Sequence, residues 1–133
     1  VLGASRPIHV RHPEDASRLF SLGTLTDAAV ASSSGCFTER REDGASTDPL
    51  VDPRRNTTMR WQQSVTVVAP RCLIADALTK VVRLAPRRAA KILPQFGAQA
   101  IIIDGRVFVA LRNRRDGEAS GIHRGLGPLR CRR

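Results

Sequence analysis

The chain is poor in several residue types, and each shortage narrows what it can be. It has no Tyr and one Trp in 133 residues. Trp61 reads as an anchor holding the next strand to the core rather than a ligand-stacking platform. Its three cysteines, Cys36, Cys72 and Cys131, are odd in number and never fall in a CxxC spacing, nor is there an HxxxH pair, so a thiolate or imidazole metal centre is not indicated. They read as free thiols, two in packed segments and one in a loose tail, with one disulfide as the alternative. No stretch approaches the roughly 20 apolar residues that a helical membrane span needs. The opening VLGASRPIHV lacks the charged and apolar regions of a signal peptide and reads as the interior of a domain. No internal repeat is visible.

What is abundant is Arg and Ala. Of the 22 basic residues only Lys80 and Lys91 are lysines, and the net charge is +10. So marked a skew reflects coding bias as readily as a selected basic surface. The charge is also uneven: from Arg106 onward eight Arg face only Asp116 and Glu118. A basic tail of this kind suits nucleic acid, anionic lipid or phosphorylated ligands, although nucleic acid is the least favoured partner here. With 41% hydrophobic residues the chain is globular by composition, and the length allows one small domain with a modest core.

Gln63–Ala85, QSVTVVAPRCLIADALTKVVRLA, organises the chain. Val65, Thr66, Val67 and Val68 are β-branched and favour a strand over Ser64–Ala69, and Pro70, lacking an amide proton, ends it. From Leu73 the apolar period lengthens to three and four through Ile74, Ala77, Leu78, Val81, Val82 and Ala85, which predicts an amphipathic helix. Asp76 is expected in its first turn, where the helix dipole favours a carboxylate. Before this segment, Pro7–Val10 is expected to be extended, with His9 and His12 as surface or loop histidines. Leu22–Ser32 predicts a second strand entering a Ser32-Ser33-Ser34-Gly35 turn, whose hydroxyls and amides either hold a phosphate or simply turn the chain. Phe37–Asn56 reads as a loop or loose hairpin. After the helix, Pro86 opens a second one that Pro94 and Gly97 close, and Ala100–Asp104 with Val107–Leu111 form a hairpin around Asp104-Gly105. Beyond Asn113 the chain lacks periodicity and reads as a disordered basic tail.

SVTVVAPxCxxADAL, preceded by IHVRHPEDAS, LTDAAVASSSG and LVDPRRN and followed by AIIID, resembles the C-terminal part of the FAD:protein FMN transferases, the ApbE flavin transferase family. The resemblance covers roughly Ile8 to Asp104 and corresponds to about the final third of a family member. It implies an α+β fold, largely antiparallel with two helices, forming part of a T-fold-like flavin transferase domain over residues 1–111, with 112–133 as the tail. It also implies that a flavin-binding front precedes the matched region, so that this chain is a truncated or degenerate member, or works with the missing part as a separate chain. Family members are typically associated with the cell envelope; the compartment of this chain stays open.

The activity implied is magnesium-dependent transfer of FMN from FAD to a Ser or Thr hydroxyl of a target flavoprotein. Family magnesium is held by an Asp on this helix, a Thr four residues on and an earlier backbone carbonyl. Asp76 matches the Asp. The position four residues on is Lys80, and Thr79 lies one place earlier, about 100° round the helix. An ammonium has no lone pair for magnesium but can meet a diphosphate as a point charge. The implied set is therefore Asp76 and Thr79 for metal, with Leu50 and Lys80 toward the flavin nucleotide. Without the resemblance, Asp76 reads as a helix-start carboxylate with no metal. Leu50 comes from aligning Leu50-Val51-Asp52-Pro53 with a motif whose preceding His is here Pro49, which cannot move a proton or donate a hydrogen bond. Two other classes stay open: an inactive accessory fragment, and a basic module for nucleic acid or anionic surfaces.

Overall fold

The computed structural model describes residues 4–35, 40–42, 45–47, 49–59, 63–104, 107–111 and 131–132. Trp61, Cys36 and the tail over 112–130 lie outside the described residues. The fold is α+β: among the described residues every strand pairing is antiparallel and there are two α-helices.

The strands are β1 (Arg6–Arg11), β2 (Leu19–Leu25), β3 (Ala29–Ser34), β4 (Arg40–Glu42), β5 (Ala45–Thr47), β6 (Val51–Asp52), β7 (Thr57–Thr58), β8 (Ser64–Ala69), β9 (Gln99–Asp104), β10 (Val107–Leu111) and β11 (Cys131–Arg132). Helix α1 (Cys72–Leu84) and helix α2 (Pro86–Ile92) join β8 to β9, followed by a short 3-10 turn at Leu93–Phe96. The central sheet runs β10-β9-β8-β3, and a second sheet runs β1-β2-β11.

β9 explains the Ile101-Ile102-Ile103 run. Ala100 and Ile102 face one side with Val65, Val67, Ala75, Leu78 and Val82, beneath the helices. Ile101 and Ile103 face the other with Val10, Phe20 and Leu22 of the β1–β2 hairpin. A strand covered on both faces needs apolar residues at consecutive positions, not alternate ones. Each such Ile or Val contributes about 1.5–3 kcal/mol on burial. Gly97 closes the helical segment in the left-handed region at φ +59, as a residue without Cβ does most cheaply.

The β8 strand, both helices and the β9–β10 hairpin form as the sequence predicts. Several expectations are corrected. Leu22–Ser32 is not one strand: Asp27, at φ 50, breaks it, and β3 begins at Ala29. Ser32, Ser33 and Ser34 therefore pair with Thr66, Val65 and Ser64 as strand residues instead of forming a turn. His12 is buried at 2% exposure, its ring tilted by 30° against that of Phe20 with centroids 5.2 Å apart. Its Nδ1 accepts the Glu14 backbone N–H at 3.1 Å, which secures the turn after β1. Cys72, expected in a packed segment, is an exposed free thiol at the helix start.

Candidate functional site

Helix α1 begins at Cys72, directly after the Pro70-Arg71 break, so its first turn contains no acidic residue. Asp76 stands in the second turn, one residue later than the sequence expectation, where the dipole acts more weakly. The buried face consists of Ala75, Leu78, Thr79, Val82 and Arg83. Ala77, on the predicted apolar stripe, is exposed, and Ile74 and Val81 are only half-buried. The stripe is rotated by about one residue from the apolar pattern, since Thr79 and Arg83 occupy core positions.

That rotation decides what the site can offer. Asp76 and Lys80 point outward as an i,i+4 pair, keeping 59% and 41% of their side-chain exposure. Lys80 Nζ donates to Asp76 Oδ1. The acid-before-base order along the helix is the favourable one, and at this exposure the pair is worth roughly 0.2–1 kcal/mol. Thr79 is fully buried and its Oγ1 donates to the Asp76 carbonyl oxygen at 2.7 Å. Asp76, Thr79 and Lys80 thus share one turn, but the hydroxyl and the carboxylate face different surroundings. Leu50 belongs to a separate hairpin: it is half-buried, and its carbonyl accepts from the Met59 N–H at 2.8 Å just outside the β6–β7 pair. Asp52, two residues on, accepts the Arg54 N–H at 2.9 Å, which tightens that turn.

The donor chemistry is readily compared with magnesium, a hard ion taking oxygen ligands, usually one or two carboxylates with water and phosphate. Asp76 fits as one accessible carboxylate, provided that the Lys80 ammonium leaves its Oδ1. Thr79 keeps its hydroxyl under the helix in the arrangement seen. Among the described residues no three His, Cys, Asp or Glu side chains stand together as a metal cluster.

Arg83 is the site feature that periodicity misses. It is 3% exposed between α1 and β3, and Nη1 donates to Ser33 Oγ at 3.1 Å. On the opposite face of the sheet, Ser32 Oγ and Thr66 Oγ1 are hydrogen-bonded at 2.8 Å. The serine hydroxyls, candidates for a phosphate turn, are here engaged in tying strand to strand and strand to helix. Its i+4 spacing from Thr79 was the available signal, hidden because a charged residue scores against burial.

Among the described residues no helix is long and apolar enough to cross a membrane. No curated protein matches the chain. The model of the ApbE family matches residues 1–102. That family is one of flavin transferases, with FAD and a flavoprotein target as its general partners. The match spans more than half of the chain, which belongs to the ApbE family.

Proposed function

We propose that the chain serves FMN transfer from FAD to a Ser or Thr hydroxyl of a target flavoprotein, with the outward turn of α1 meeting the FAD diphosphate. The observation that carries this reading is the exposed Asp76–Lys80 pair on the helix of a family member. A carboxylate beside a diphosphate is repulsive unless a cation lies between them. Lys80 is such a cation on this chain, and a magnesium ion, when bound, would neutralise phosphate charge with Asp76 as its carboxylate ligand. Thr79, proposed from the resemblance as a second metal ligand, serves in the described arrangement to fix the turn that carries Asp76. Leu50 would supply an apolar contact to the flavin nucleotide from its hairpin.

In the step proposed, the target hydroxyl oxygen attacks the phosphorus on the flavin side of the diphosphate. A new O–P bond forms, the bridging P–O bond breaks, and AMP leaves with its electron pair. The hydroxyl proton passes to solvent. No side chain of this chain is assigned as the base. The role of the protein is to hold the diphosphate in line and to offset its charge.

The test is an intact-mass measurement on an acceptor flavoprotein incubated with the chain, FAD and magnesium. A covalent addition of FMN mass to the acceptor is expected. An unmodified acceptor across all conditions would count against the reading.

A further inference from the structure

Resting on the flavin-nucleotide reading above, we infer that Lys80 makes diphosphate binding by this chain independent of divalent metal, and that it competes with a divalent ion for Asp76. Three observations lead there. First, the ammonium already sits on Asp76 Oδ1, the one accessible carboxylate oxygen pair of this turn. A divalent ion reaching Asp76 must displace it. Second, Thr79 is fully buried and donates to the Asp76 carbonyl. In this arrangement the hydroxyl adds no oxygen donor that would give the metal an advantage over the ammonium. Third, Lys80 is half-exposed, keeping 41% of its side-chain exposure, and the bond to Asp76 uses one of its three donors. The other two are directed by a flexible stem that can follow a phosphate oxygen.

The consequence is a division of labour within one turn. Lys80 carries positive charge to the diphosphate at all times, tethered four residues from the carboxylate that orients it. A divalent ion joins only by taking Asp76 over, and in doing so it releases the ammonium toward the phosphates. Nucleotide binding and metal binding are then separable events, with Lys80 supporting the first and opposing the second.

The experiment is a flavin-fluorescence titration of the full chain with FAD, in EDTA and in excess magnesium, for the wild type, Lys80→Ala and Asp76→Ala. Manganese binding to the wild type and Lys80→Ala is followed by electron paramagnetic resonance without nucleotide. The wild type is expected to bind FAD in EDTA within about threefold of its affinity in magnesium. Lys80→Ala is expected to lose about tenfold or more in EDTA, as for loss of a charge-assisted hydrogen bond. It should recover part of that loss in magnesium and bind manganese more tightly than the wild type. Asp76→Ala should bind FAD in EDTA no more weakly than the wild type and should lose any response of that affinity to magnesium. Wild-type binding that vanishes in EDTA, or a Lys80→Ala affinity equal to wild type there, overturns the inference and leaves the flavin reading standing. Manganese affinity unchanged by Lys80→Ala overturns the competition. Absence of FAD binding in every condition overturns both the inference and the reading beneath it.

Discussion

The hydroxyl of Thr79 donates to the carbonyl oxygen of Asp76, 2.7 Å away, from a position with no solvent exposure. One residue of the candidate pair therefore steadies the turn from below while the other presents its carboxylate above. Replacing Thr79 by Val keeps the branched shape and removes only the hydroxyl. Stability is expected to change by less than about 1.5 kcal/mol, and FAD affinity to stay within about threefold of wild type. Chemical denaturation and a fluorescence titration measure both. A selective collapse of metal-supported binding in a stably folded variant would instead give Thr79 the ligand role.

The contact between α1 and β3 makes a second prediction. Ser33 Oγ accepts from the buried Arg83 guanidinium. Ser33→Ala removes an acceptor from a buried cation, which costs roughly 1.5–3 kcal/mol. The denaturation midpoint should fall accordingly, whereas Ser32→Ala, which breaks a neutral hydroxyl pair with Thr66, should cost less. Equal effects of the two substitutions would remove the special weight given to Arg83.

How much of this was legible in the sequence varies by element. Ser64–Ala69 and the pairing of β9 with β10 could be read because their signals are local: β-branched runs and a Pro stop. The serine strand could not. Ser32–Ser34 carry turn propensity, and only pairing with Thr66, Val65 and Ser64 on β8 places them in a sheet. The candidate turn was half-legible. Its residues were identifiable, but the apolar stripe pointed about one residue away from the true buried face, because Thr79 satisfies its hydroxyl within the helix and Arg83 finds a hydroxyl on β3. His12 lies in a loop, as one of its two expected placements, but its burial is not legible: the Glu14 N–H and the Phe20 ring that make it tolerable are not visible as a spacing.

A pH dependence follows from the turn between β1 and β2. The Asp15 carboxyl is held below its ordinary value of 3.8, first by the Ser17 hydroxyl and then by the Ser17 backbone N–H. The folded value being the lower one, the stabilising contribution is complete above the ordinary value and is lost as pH falls through the lowered one. Asp15→Asn keeps an oxygen that can accept from Ser17 but cannot titrate. Its thermal midpoint should decline less steeply than that of the wild type as pH falls below about 4, with little difference near neutrality. Parallel acid limbs would show that this carboxylate contributes nothing to the pH dependence.

The most direct measurement is AMP released from FAD in the presence of magnesium and an acceptor flavoprotein, comparing the chain with its Asp76→Ala variant. The expectation is AMP in step with covalent flavin on the acceptor, and a loss of at least about a hundredfold on substitution, the scale of a group that stabilises transition-state charge. Equal AMP release by the two proteins, with both folded, would contradict it.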